Sequence, residues 1–107
     1  MPKYLIQASY TAEGTKGLVR DGGSKRRSVV EQMIKKSGGM LESFYFAFGD
    51  ADVYIICDIP DVASAAAISL AVNASGAVEL KTVPLLSVEE IDQAARKQVG
   101  YSAPGAA

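Results

Sequence analysis

Three cations and a hydroxyl group follow a pair of glycines, residues 22–23, in the first third of the sequence. A flexible diglycine, the free amides of a helix start and clustered cations together favour binding of a phosphate or carboxylate group. The same cations oppose the helix dipole, and the interpretation we favour is that Asp21 and Glu31 neutralise them at the surface. Residues 17–25 do not form a nucleotide-binding P-loop, because Lys25 does not directly follow the second glycine of the G-x-x-x-x-G spacing. This argues against triphosphate hydrolysis. The candidate anion-binding residues are Ser24, Lys25, Arg26 and Arg27.

Two carboxylates and three tyrosines are candidates for contact with a small organic ligand. The carboxylates share one short linker, where such pairs bind a divalent ion, act as acid and base, or simply shape a turn. We favour the turn. Phenol groups either orient a polar ligand in a cavity against a partner subunit or pack as aromatic side chains in an interface. The candidate ligand-binding residues are Tyr10, Tyr45, Tyr54, Asp50 and Asp52.

The residue types that are missing exclude much familiar chemistry. None of the 107 residues is histidine, which removes Ser-His-Asp and Cys-His nucleophile systems, histidine-ligated metals and histidine-held haem. The single cysteine, Cys57, cannot form an internal disulfide, and it alternates with Val53, Ile55 and Ile59 as a small core residue does. We therefore predict no cofactor and no metal.

Charge and hydropathy limit the partners. Eleven basic and twelve acidic residues give a net charge of −1, so no overall field attracts nucleic acid or acidic lipid. The start of the sequence lacks a secretion signal, and the apolar stretch of residues 63–72 is too short to span a bilayer. We expect a cytoplasmic protein with no nucleic-acid or membrane partner.

Hydrophobic periodicity predicts the elements that must position these residues. Short runs of β-branched and aromatic residues indicate strands, and apolar residues at helical spacing between Ser or Asp caps and Gly stops indicate helices. The Thr- and Gly-rich stretch after the first strand is assigned to no element. The predicted elements are a strand at residues 4–10, a helix from 22–24 to 38, a hairpin of 40–48 and 53–59, a helix from 61 to about 73, a strand at 78–86 with Pro84 at a sheet edge or strand end, and a helix from 87 to about 98.

This order is β-α-β-β-α-β plus a terminal helix. It predicts an α+β protein of the ferredoxin-like class, in which two helices cover one face of a four-stranded antiparallel sheet. The length suits one domain, residues 1–100, with a short C-terminal tail at 101–107.

The strands also predict what lies on the second face of the sheet. Alternation assigns to it Leu5, Gln7 and Ser9 of the first strand and Leu41, Ser43, Tyr45 and Ala47 of the second. The residues of the third strand on this face are Tyr54 and Ile56, with Asp52 and Asp58 at the strand ends. Covering about 500 Å² of apolar surface there would contribute on the order of 12 kcal/mol before association costs. We predict a homo-oligomer, at least a dimer, that covers this face; the alternative is a mixed face that stays hydrated.

Four segments carry a resemblance to a known family over nearly the whole chain. These are MPKYLIQASYTAEGTKGL, GGSKRR, ESFYFAFGDADVYIICDIPD and AVNASG. Through them the sequence resembles the GYD domain family. The resemblance implies a ferredoxin-like subunit related to dimeric α/β-barrel proteins, and it implies no established reaction. The Gly-Tyr-Asp pattern is partly kept, with Gly49 and Asp52 present and Ala51 in place of the aromatic residue.

Three functions follow as hypotheses. The first is a homo-oligomer that binds a small, possibly anionic organic molecule near the sheet face or a subunit interface. The second is a cofactor-independent monooxygenase or isomerase of the dimeric α/β-barrel kind, in which Tyr and Asp side chains steer a phenolic or enolic substrate. The third is a self-assembling structural protein whose tail from Gly100 reaches a neighbouring subunit.

Overall fold

Four strands and four helices are present in the structure, a computed structural model in which residues 1–106 are described. The strands are β1 (Lys3–Tyr10), β2 (Met40–Phe46), β3 (Val53–Asp58) and β4 (Val78–Leu85). The helices are α1 (Ala12–Asp21), α2 (Gly23–Lys36), α3 (Val62–Ala74) and α4 (Val88–Arg96).

The strands form one antiparallel sheet in the order β2-β3-β1-β4. Lys3 of β1 lies between Asp58 of β3 and Leu85 of β4, which fixes the register of the three strands. Pro84 lies in β4 at the edge of the sheet, where its missing amide hydrogen costs no ladder bond. The predicted ferredoxin-like class is therefore confirmed.

The core lies between one face of the sheet and the helices α2 and α3. Helical spacing places Val30 and Ile34 of α2 and Ala65 and Ile68 of α3 on the faces that cover the sheet, and all four are buried. They meet the inward rows of β1 and β3. Those strand residues are Tyr4, Ile6, Ala8, Val53, Ile55 and Cys57.

Helix α1 was not expected, and the assignment of no element after the first strand is wrong. Thr11 caps α1, since its Oγ1 accepts a hydrogen bond from the amide of Gly14 at 3.3 Å. Its own amide bonds to the carbonyl of Ala77 at 3.0 Å, which ties the start of α1 to the turn before β4. Gly22, at φ +83°, then separates α1 from α2.

An irregularity in β2 corrects the prediction that Leu41 lies on the second face. The register shifts between Leu41, opposite Cys57, and Ser43, opposite Ile56, so Glu42 is an extra residue in the strand. Because side chains alternate between faces, this extra residue turns Leu41 towards the helices, where it packs against the core. Ser43 and Tyr45 remain on the other side, as predicted.

The last helix begins where the sequence predicts. The Ser87 hydroxyl accepts from the amide of Glu90 at 3.1 Å, and the Glu90 carboxylate accepts from the amide of Ser87 at 2.9 Å. This reciprocal pair is a capping box. Helix α4 ends at Arg96, two residues earlier than predicted, and residues 97–106 contain no helix or strand.

Candidate functional site

A cleft lies where α1 and the start of α2 meet the ends of β1 and β4. It has a volume of about 260 Å³, and both Tyr10 and Arg26 line it. Leu18 and Val78 supply apolar surface. The structure thus brings together one residue from the predicted ligand-binding set and one from the predicted anion-binding set.

Sequence reasoning missed the wall that α1 contributes to this cleft. That wall comprises Glu13, Gly14, Gly17, Leu18, Arg20 and Asp21. The signal was present in Thr11, a helix-capping residue, followed two positions later by Glu13 in the first turn. The two glycines of α1 argued against a helix, because glycine usually weakens a helix.

Arg26 differs from the other three members of the predicted anion site. Lys25 forms an ion pair with Asp21 at 3.7 Å, Arg27 forms one with Glu31 at 4.0 Å, and Ser24 is exposed. Arg26 is half-buried, and no carboxylate of residues 1–106 lies within ion-pair distance of it. The favoured pairing with Asp21 and Glu31 therefore accounts for two of the cations and leaves Arg26 without a carboxylate partner within residues 1–106.

Tyr10 is the polar group that faces Arg26. Burial raises the pKa of the Tyr10 phenol, the nearby charge of Arg26 opposes this, and the charge of Asp52 adds to it. The net direction is upwards, so the phenol keeps its proton at neutral pH and acts as a hydrogen-bond donor. A cation and a neutral donor side by side suit the oxygen atoms of an organic acid.

The far side of Tyr10 borders exposed apolar surface near the hairpin between β2 and β3. Leu18, Phe46 and Phe48 contribute to it, and Phe48 is fully exposed. Tyr10 therefore lies between a charged cleft and an apolar surface. This arrangement matches a molecule with an acidic head and an apolar body.

The two candidate aspartates point to different places. The Asp52 carboxylate accepts a hydrogen bond from the amide of Tyr10 at 2.9 Å, and its amide donates to the carbonyl of Ala8 at 2.8 Å. Asp50 is exposed and borders a separate groove beside Gln7 and Lys81. Among residues 1–106 no three Asp, Glu, His or Cys side chains are grouped as metal ligands would be. Asp52 thus holds the end of β1, as a turn-shaping residue does.

The three candidate tyrosines do not share one cavity. Tyr10 continues the inward row of β1, whereas Tyr45 and Tyr54 are direct cross-strand partners on the face that no helix covers. We call this the open face. Tyr45 is 71% exposed there, and Tyr54 is half-buried. Ala51, at the position of the missing aromatic residue, is buried.

Cys57 is fully enclosed in the core, with a relative exposure of 0%. Burial raises the pKa of its thiol from 9.0 to about 11, the charge of Asp58 adds to the shift, and Lys3 opposes it. A thiol that is protonated and enclosed at neutral pH is a poor nucleophile.

The raised pKa of Cys57 predicts a loss of stability at alkaline pH. Between about pH 9 and pH 11 the thiol ionises in the unfolded chain but stays protonated in the folded one, so the free energy of unfolding falls. Other groups titrate in this range, and the Cys57→Ala variant isolates the contribution of the thiol. We expect denaturant titrations to show a shallower fall in the variant, and equal slopes would contradict the enclosed thiol.

The fold and the cleft define a small ferredoxin-like α+β protein with an accessible site beside the helices. A sequence model described as the GYD domain matches residues 4–95. Because this match covers most of the chain, the protein belongs to the GYD domain family. No curated protein and no solved structure gives a significant match. None of the helices within residues 1–106 combines the length and the apolar character needed to cross a bilayer.

Proposed function

We propose that this protein is a cytoplasmic homo-oligomer that binds a small organic acid with an apolar body. The observation that carries the proposal is the half-buried Arg26, which has no carboxylate partner within residues 1–106 and lines the same cleft as Tyr10. In this mode the acid group bonds to the guanidinium and the phenol. The apolar body lies on the surface formed by Leu18, Phe46 and Phe48.

The electrostatics of the cleft support an acid group in preference to a neutral one. Of the two carboxylates that line the cleft, Asp21 is paired with Arg20 at 3.4 Å and Lys25 at 3.7 Å, and Glu13 is exposed to water, which screens its charge. A cation that is partly withdrawn from water gains more from an anion than an exposed cation does. The phenol of Tyr10 adds a directional bond.

Replacing Arg26 with glutamine tests this proposal, and Arg27→Gln is the matched control. We expect Arg26→Gln to weaken binding of 2-naphthoate, a fluorescent aromatic carboxylate, by about tenfold because one charge-assisted hydrogen bond is lost. Arg27→Gln removes the same charge from an exposed residue paired with Glu31 and leaves the affinity unchanged. The neutral analogue 2-naphthalenemethanol binds weakly to all three proteins.

Fluorescence titration at one fixed ionic strength measures these affinities. Equal affinity of the native protein and the Arg26→Gln variant would rule out the cleft. Equal weakening by Arg27→Gln would show that overall charge, and not the site, governs binding.

The open face supports self-association. Leu5 and Ile56 lie on it beside Tyr54, and Val83 of β4, which is 39% exposed, continues the apolar surface towards the sheet edge. The ion pair of Lys3 with Asp58 at 3.1 Å and Glu42 at 2.9 Å lies at one end of the face, and Gln7 and Lys81 add polar groups nearer its middle. A second copy related by a two-fold axis would cover this surface with an identical one.

A further inference from the structure

The C-terminal segment projects from the rest of the molecule. We call residues 86–101 the arm. The structure measures 61 × 32 × 22 Å, and its radius of gyration is 17.3 Å. A compact chain of this length has a radius of gyration of about 13 Å. The excess comes from an arm whose side chains are all exposed, among them Leu86, Val88, Ile91, Val99 and Tyr101.

Helix α4 of the arm has the pattern of a helix that packs against something. Val88, Ile91 and Ala95 recur at spacings of three and four, which places them on one stripe. Isolated helices shorter than about 12 residues are marginal in water, even with a good cap. With nine residues and none of them buried, α4 finds no packing within residues 1–106 that would stabilise it.

The outer side of α2 offers a surface of matching chemistry. A shallow groove there is lined by Val29, Gln32, Met33, Lys35 and Lys36, which we call the α2 groove. Val29 is 48% exposed. Within residues 1–106 neither lysine of the groove has a carboxylate at ion-pair distance. The groove therefore combines an apolar floor with unpaired positive charge.

Charges on α4 complement that groove. The helix carries Glu89, Glu90 and Asp92 in its first half, and Glu90 is occupied in the capping box. Glu89 and Asp92 have no cation at ion-pair distance within residues 1–106. The apolar stripe of α4 and its two free carboxylates thus match the apolar floor of the α2 groove and its two free lysines.

We infer that α4 of one copy docks in the α2 groove of a second copy. Val88 and Ile91 cover Val29 and Met33, and the carboxylates of α4 lie near the groove lysines. The groove of the same chain is a poor candidate, because α4 leaves from β4 whereas α2 packs over β2 at the opposite edge of the sheet, with α3 between them. A two-fold axis makes the exchange reciprocal, with two arms in two grooves.

The inference rests on the self-association proposed above, and it adds a second contact between the two copies to the one that the open face provides.

Charge reversal on the two surfaces tests the exchange. One variant carries Lys35→Glu and Lys36→Glu, and the other carries Glu89→Lys and Asp92→Lys. We expect each alone to weaken dimerisation about tenfold or more in sedimentation equilibrium, because both contacts of the dimer become repulsive. An equimolar mixture recovers the native affinity, because in a mixed dimer both contacts are attractive again. The single changes Lys36→Glu and Asp92→Lys repeat the experiment with less perturbation.

Each result decides the question. Native affinity in both variants would overturn the docking. Recovery in one chain that carries all four changes, without recovery in the mixture, would place the arm on its own groove and would also overturn the exchange. If Tyr54→Lys abolishes dimers and both charge variants dimerise like the native protein, the open face forms the dimer contact and docking of the arm is overturned. If only the charge variants weaken dimerisation and Tyr54→Lys does not, docking of the arm is supported and the open face forms no contact.

Discussion

Replacing Tyr54 with lysine is expected to convert the proposed oligomer into monomers. Tyr54 lies opposite Tyr45 of β2 and opposite Gln7 of β1, so it occupies the middle of the open face. A two-fold axis through this face would bring two ammonium groups together in a surface that excludes water. Unpaired charge in such a surface costs several kcal/mol, which corresponds to a loss of affinity of about a thousandfold.

Sedimentation velocity over a range of concentrations measures this change. Val19→Lys is the control, because Val19 is 81% exposed on α1, away from the sheet, and the substitution adds the same charge. The control is expected to sediment like the native protein. An unchanged sedimentation coefficient for Tyr54→Lys would mean that the open face stays hydrated.

Two glycines of α1 are expected to respond to alanine in opposite directions. A Cβ atom on Gly14 would overlap the carbonyl oxygen of Ala77, the group that accepts the amide of Thr11. We expect Gly14→Ala to lower the free energy of unfolding by about 3 kcal/mol through overpacking and loss of that hydrogen bond. At Gly17 a Cβ atom would meet only the flexible end of Arg20, at 3.8 Å. Gly17→Ala is expected to raise stability by up to about 1 kcal/mol.

Urea unfolding monitored by circular dichroism measures both variants. Gly14→Ala is also expected to weaken 2-naphthoate binding, because Leu18 lines the cleft from α1 and shifts with the helix. Equal effects of the two substitutions on stability would show that α1 does not approach the turn before β4 closely.

Most of the fold could be predicted from periodicity and caps. Val30 and Ile34, spaced for one helix face, and the alternating Val53, Ile55 and Cys57 become the core, as the hydrophobic pattern requires. Helix α1 could not be found in this way. Its Gly14 serves close approach to Ala77, and that requirement arises only from tertiary structure.

The candidate site was only partly within reach of sequence reasoning. Arg26 precedes Val30 by four residues and shares its helix face, whereas Lys25 and Arg27 flank that face. This spacing distinguishes the half-buried cation from its exposed neighbours. Alternation likewise places Tyr10 in the row of Ile6 and Ala8, which separates it from Tyr54. For the opposing wall from α1, the signal was limited to the capping residue Thr11 and the acidic Glu13 of the first turn.

The extra residue in β2 also affects how the molecule behaves when it is crowded. A regular edge strand presents a row of unpaired backbone groups on which another strand can assemble. At one margin of the sheet the irregularity at Leu41–Ser43 breaks that row, and at the other Pro84 removes a donor. Neither margin is a good template for strand addition, so fibrous growth of the amyloid kind is disfavoured even at high concentration.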